Sequence, residues 1–189
     1  MVIRNAALIG AAGLLAYGAW LMSQPSEDGE VSQLEELGDD IVSKTVNALQ
    51  LWRAPAKYAG MIQRAEQENG LPPTMLERLL YQESRYREDI ISGAVRSPVG
   101  AMGIAQFMPA TATEARIDPL KPEQAIPAAA RYLRRLYDRF GTWSQALAAY
   151  NWGQGNVSRK GLQNAPRETR LYFSQILADV NTANQSNLA

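Results

Sequence analysis

The 189-residue sequence contains no cysteine and no histidine, and its charge favours neither sign, with 19 Lys and Arg against 19 Asp and Glu. Without cysteine there is no disulfide, no thiolate nucleophile and no Cys-based metal site, so an oxidising compartment is tolerated without being indicated. Without histidine, Ser-His-Asp and Cys-His catalysis are excluded, as are the usual imidazole zinc sites. Balanced charge supplies no global field to gather nucleic acid or to repel an anionic surface. Carboxylates, hydroxyls, amides and amines are left for chemistry, the inventory of an acid/base enzyme built on Glu or Asp. With 46% hydrophobic and 20% charged residues, the chain reads as one globular domain with appendages.

Four segments are distinguishable. Residues 6–22, AALIGAAGLLAYGAWLM, are uncharged and mostly apolar. As a helix they extend roughly 26 Å, near the lower limit for a bilayer. Arg4 before the run and Glu27, Asp28 and Glu30 after it predict a cytoplasmic N-terminus and an exported remainder, with Tyr17 and Trp20 at the interface. Residues 1–23 are therefore expected to be a transmembrane anchor. A cleaved signal peptide is the alternative, since Ala16-Tyr17-Gly18 suits a small-x-small site, and an apolar helix buried in a partner assembly is a third reading. Residues 24–54 combine a polar linker with amphipathic helix. Val31, Leu34, Leu37, Ile41, Val42, Val46, Leu49 and Trp52 recur at threes and fours, a face suited to packing on the domain or on another chain. The compact domain is expected over 55–180, with a C-terminal tail at 181–189.

Within the domain the apolar spacing predicts helices over 57–69, from 75 past Glu83, and over 109–115, 122–140, 142–150 and 166–180, with no convincing strand. The fold class is thus mainly α. Asn69-Gly70 followed by Pro72-Pro73 ends the first helix, and Thr74 with Glu77 has the spacing of a capping box for the second.

That second helix poses the main question. In LERLLYQESRY, residues 76–86, Leu76, Leu79 and Leu80 form an apolar face, and the next turn of the same face is Glu83. A carboxylate there is desolvated, which raises its pKa and lets it hold and donate a proton near neutral pH. The bland alternative is an edge position with an ion pair to Arg87 one turn on. Downstream, SPVGAMGIAQFMPATA (97–112) offers glycines for close backbone approach and an amide at Gln106, while AAYNWGQGNV (148–157) places Tyr150, Asn151 and Trp152 at a helix end. Each segment alone is equally compatible with packing or capping.

Together, ES at 83–84, SPVGAMGIAQFMP at 97–109, AYNWGQGNV at 149–157 and ETRLYFSQIL at 168–177 resemble, in order, the motifs of the lytic transglycosylase (SLT) domain, whose fold is similar to goose-type lysozyme. The resemblance implies a lysozyme-like helical domain over about 55–180 that cleaves the bond between N-acetylmuramic acid and N-acetylglucosamine in peptidoglycan, leaving a 1,6-anhydro end. It implies Glu83 as catalytic acid/base, Tyr150 beside it as its orienting group, and Ser97, Gln106, Met108 and Asn151 as cleft residues, with Gln106 holding the acetamido group. It also implies Glu168 and Tyr172 on the far side of the cleft, and it calls for no metal and no organic cofactor. Two departures stand out. RYREDIISGAVR lengthens the connection between Glu83 and Ser97, and Trp152 and Gln154 replace smaller residues and a proline.

Lysozyme-type hydrolysis with Asp89 or Asp118 as second carboxylate is the alternative activity, and a passive channel or structural role in a secretion or phage genome-entry machine is the alternative class. The expected partners are peptidoglycan strands, a membrane through residues 6–22, and secretion-apparatus or virion proteins. Nucleic acid is not expected, because Arg131, Arg134, Arg135 and Arg139 alternate with Tyr132, Leu133, Leu136 and Tyr137 as an ordinary amphipathic helix does. The expected location is the periplasmic face of the inner membrane, or a virion.

Overall fold

The structure is a computed structural model that describes residues 52–186. The apolar run 6–22, the linker and nearly all of the amphipathic stretch before Trp52 lie outside the described residues. Among the described residues no helix is long and apolar enough to cross a membrane.

The domain is built from helices. The first, α1 (Ala56–Glu68), buries Tyr58, Ile62 and Ala65, spaced by four and three, against the core. It ends where Asn69 and Gly70 turn the chain, with Gly70 at φ +58°. The second, α2 (Met75–Ser84), starts differently from expectation. Thr74 takes a left-handed conformation and makes no side-chain cap, so the Thr74–Glu77 capping box does not form. Glu66 of α1 takes its place, with Oε2 accepting from the Thr74 N–H at 3.1 Å and Oε1 from those of Leu76 and Glu77 at 2.8 and 3.2 Å. Glu77 instead accepts the Ala54 N–H at 2.7 Å and pairs with Arg53 at 3.3 Å. A carboxylate at a helix N-terminus satisfies orphan amides and complements the dipole whichever part of the chain supplies it.

After a short α3 (Glu88–Ile91), residues 92–108 run without helix. Met102 and Phe107 form an isolated antiparallel bridge, each N–H reaching the other's carbonyl at 3.0 Å, and no strand occurs among the described residues. Gly103, at φ +74°, backs directly onto the chain at Pro119, where a Cβ would fall 1.7 Å from the carbonyl oxygen. Next come α4 (Pro109–Ala115) and α5 (Pro122–Phe140), each with proline in its first turn, where the missing N–H costs nothing. Thr142 caps α6 (Trp143–Trp152) by accepting the Gln145 N–H at 3.3 Å. Gly153, at φ +91°, turns the chain into α7 (Gln154–Lys160), and a 3-10 turn (Leu162–Asn164) leads to α8 (Arg167–Ser186). The last helix continues past residue 180 because Val180 and Ala183 still bury against the domain.

At the centre lies α6. Its Ala146, Leu147, Ala148 and Ala149 are fully buried, and it packs against α5, α7 and α8. Around it, α1 packs on α5 and α2 packs on α8. That last contact assembles the site.

Candidate functional site

Glu83 completes the buried stripe of α2 that begins with Met75, Leu76, Leu79 and Leu80, and is itself 4% exposed. Arg87 turns to Asp89, with Nη2 at 2.5 Å, so the Glu83–Arg87 ion pair of the bland reading does not form. The carboxyl meets the hydroxyl of Tyr172 on α8, which donates to Oε1 at 2.5 Å. Burial pushes the Glu83 carboxyl up to about 8, against a smaller opposing effect of the Tyr172 hydrogen bond. The side chain therefore holds its proton at neutral pH.

The partner of Glu83 is thus Tyr172, placed by the sequence on the far side of the cleft. Tyr150, expected to orient Glu83, donates instead to the Ala105 carbonyl at 2.9 Å. Tyr150 is still a neighbour. Burial and then the charge of Glu83 hold its hydroxyl well above the ordinary tyrosine range. Its ring is 5.4 Å from that of Tyr132 and 6.4 Å from that of Phe107, which makes an aromatic wall.

This wall belongs to a cavity of about 90 Å³ lined by Gln106, Phe107, Met108, Thr111, Tyr132, Tyr150 and Gly153. Of the expected cleft residues, Gln106, Met108 and Tyr150 line it. The Met102–Phe107 bridge positions Gln106, which takes the uncommon φ of +47°. Its amide nitrogen donates to the Gly103 carbonyl at 2.6 Å, leaving a buried Oε1 without a partner. Glu83 is not among the lining residues, but it is close enough for its charge to act on Tyr150, which is.

The other expected residues are distributed around these two features. Ser97 sits half-buried in the loop, where its hydroxyl accepts the Val99 N–H at 3.3 Å, and it does not line the cavity. Asn151 is buried, its Oδ1 accepting from the Thr169 hydroxyl at 2.9 Å to tie α6 to the start of α8, and it does not line the cavity. Glu168 lies one turn before Tyr172 on α8. Its Oε1 is buried without a partner, and burial pushes its carboxyl up. The two candidate second carboxylates are engaged elsewhere, Asp89 with Arg87 and Asp118 with the Leu120 N–H and, at 3.9 Å, Lys121. Among the described residues no group of three or more acidic, His or Cys side chains is placed to hold a metal.

A second polar layer was not foreseen. Behind Glu83 on α2, Arg78 donates through Nε to Asp179 of α8 at 2.5 Å and through Nη1 to Gln82 at 2.8 Å. Arg78 and Asp179 are each 3% exposed. Nothing local marks this pair, because its members are 101 residues apart. Each is visible in the sequence only as a charge on an otherwise apolar helix face, not as a partner of the other.

A helical, lysozyme-like domain that buries one proton-holding glutamate beside an aromatic-walled cavity is the class this fold and site define. The chain belongs to the Transglycosylase SLT domain family, which matches residues 60–173. It is 33% identical over 118 residues to the peptidoglycan transglycosylase gp16 of Escherichia phage T7, a match that covers 58% of this chain and 9% of that protein. It is 36% identical over 109 residues to the membrane-bound lytic murein transglycosylase F of Alcanivorax borkumensis, covering 53% of this chain and 22% of that one. The fold is similar to that of the 70 kDa soluble lytic transglycosylase of Escherichia coli, with a TM-score of 0.57 and 27% identity over 73% of this chain and 28% of that chain. The chain thus spans under a quarter of the two curated relatives' lengths.

Proposed function

We propose that this domain is a peptidoglycan lytic transglycosylase with Glu83 as its single acid/base. The carrying observation is that Glu83 is buried at the end of the apolar stripe of α2, where burial pushes its carboxyl up to about 8, with no second carboxylate acting on it among the described residues. Most glycosidases flank the bond with two carboxylates, whereas substrate-assisted enzymes need one because an acetamido group of the sugar does the work of the other. Family membership supports the same reading.

In this mechanism Glu83 donates its proton to the glycosidic oxygen as the bond to C1 of N-acetylmuramic acid breaks and the acetamido carbonyl closes on C1. The carboxylate so formed takes the proton of the C6 hydroxyl, O6 displaces the acetamido oxygen at C1, and Glu83 ends protonated, with no water consumed. Tyr172 steadies the carboxylate while it is charged, through the bond it already makes at 2.5 Å. The unpartnered Gln106 Oε1 accepts the acetamido N–H, and the aromatic wall supplies apolar surface to the sugar. Met108 lines the same cavity. Ser97 and Asn151 position the loop and the end of α6, and Glu168 closes the α8 side.

The test is mass spectrometry of muropeptides released from purified sacculi, with Glu83→Gln in parallel. Wild-type products should be lighter by one water than hydrolysed ones, and the variant should lose ~10²- to 10⁴-fold in rate. Reducing ends from the wild type would replace this reading with hydrolysis.

For location, we propose a domain held outside the cytoplasm by residues 6–22, or carried in a virion. The names of a membrane-bound relative and a phage relative support this. Recovery of the full chain in the soluble fraction of a producing cell would refute the anchor.

A further inference from the structure

Zero net charge conceals a division. Residues 1–51 hold seven acidic and two basic residues, whereas residues 52–189 hold twelve acidic and seventeen basic, so the folded domain is a cation of charge +5. Part of that excess borders the cavity. Arg134 turns away from it, to Asp138 at 2.9 Å and the Gly70 carbonyl at 3.4 Å. Arg135 and Arg139, four residues apart on the exposed face of α5, do the opposite. The Arg135 guanidinium lies 5.5 Å from the ring centroid of Tyr132, a cavity-lining residue. Arg139 crosses to α7 and donates to Gln154 Oε1 at 2.7 Å and to the Ser158 hydroxyl at 3.2 Å, neutral acceptors that leave its charge intact. Both cations act on the Tyr132 hydroxyl, where Glu114 is the opposing acid. Arg159 of α7 packs over Gly155, its Nη1 3.1 Å from where a Cβ would stand, two residues from the cavity wall at Gly153. Among the described residues, Arg135, Arg139 and Arg159 have no carboxylate partner.

We propose that Arg135, Arg139 and Arg159 form a carboxylate-reading rim that takes the peptides carried by the glycan strand. This rests on the proposed function and adds a specificity surface to it. The argument is one of charge complementarity. The glycan of peptidoglycan is neutral once its lactyl groups are amide-linked, and the substrate's carboxylates lie in its peptides. An aromatic-walled cavity suits the sugar, whereas the charge of three cations without acidic partners finds its complement in the peptide carboxylates rather than in a neutral polymer. Guanidinium groups recognise carboxylates through paired N–H donors, and exposed charges at a rim tune encounter and affinity rather than chemistry.

The experiment compares soluble glycan strands bearing peptides with the same strands after enzymatic removal of the peptides, using the full chain, Arg135→Gln/Arg159→Gln, and Arg134→Gln as the charge-matched control outside the rim. On peptide-bearing strands the double variant should raise KM about tenfold and keep kcat within about twofold. On peptide-free strands it should match the wild type, which also shows that it folds. Arg134→Gln should match the wild type on both. An equal rise in KM on both strands, no rise on peptide-bearing strands, or the same rise with Arg134→Gln would overturn the proposal. So would a gain in kcat/KM on both strands. Wild-type turnover of peptide-free strands tests the transglycosylase reading independently of these variants.

Discussion

Replacing Tyr172 with Phe removes one oxygen and, with it, the hydrogen bond that the Glu83 carboxyl accepts at 2.5 Å. The change is well defined because Tyr172 is 1% exposed and Glu83 4%, so no solvent stands ready to substitute. Burial holds the Glu83 carboxyl at about 8, and the Tyr172 bond works in the opposite direction by favouring the charged form. A hydrogen bond to a charged group contributes about 1.5–3 kcal/mol, and about 1.4 kcal/mol corresponds to one pH unit. On the proposed mechanism the alkaline limb of kcat/KM marks loss of the proton from Glu83 in the free enzyme, and it should therefore move up by about one to two units in Tyr172→Phe. At pH 7 the variant keeps its acid but forms a less stabilised carboxylate during turnover, so kcat should fall about tenfold, equivalent to about 1.4 kcal/mol. The assay counts anhydro ends released between pH 5 and 10. A melting temperature a few degrees below wild type is expected from the lost bond, and a folded variant whose alkaline limb stays put or moves down would refute the pairing of Tyr172 with Glu83.

Glu83→Gln should also change how stability depends on pH. The folded-state value of about 8 exceeds the ordinary 4.5, so the Glu83 contribution is fully present below about pH 4.5 and lost as pH rises through about 8. The variant should melt higher than wild type at pH 9 by calorimetry, and equal melting there would contradict the burial argument. Arg78→Met removes the guanidinium that donates to the buried Asp179 carboxylate at 2.5 Å and should cost about 3–5 kcal/mol in urea unfolding. A loss below about 1 kcal/mol would mean that the pair is not buried as described. Gly103→Ala drives a Cβ into the Pro119 carbonyl at a left-handed position, and its cost should exceed about 3 kcal/mol. Near-normal unfolding would show that the 103–119 contact is absent.

The helices that the sequence revealed best are those with both a periodic face and a chemical stop. Pro109–Ala115 and Pro122–Phe140 coincide with their expected limits, each announced by proline, and the longer one is closed by Gly141 at φ +82°. Where local chemistry met tertiary competition, the reading failed. Thr74 and Glu77 had capping-box spacing, yet Glu66 reached the same amides from the preceding helix. The short helices Glu88–Ile91 and Gln154–Lys160 fall where the apolar spacing predicts no helix, and Gly153 sets only the turn between α6 and the second of them. In the site, Glu83 was legible because a carboxylate on a leucine stripe violates the pattern. Its partner was not, since Tyr172 reaches it across 89 residues of sequence and looks like any other core aromatic on α8.

The fully buried run Ala146–Ala149 of α6 divides the molecule by how freely it can be revised. Each of these positions is enclosed on all sides, so an added methyl has nowhere to go. Tyr150, Asn151 and Trp152, also buried, close the end of that rod. The exposed arginines of α5 and α7 carry no such restriction. On the proposed function, exchanging the rim would change which peptides are read while the buried Glu83 and its enclosure stay as they are.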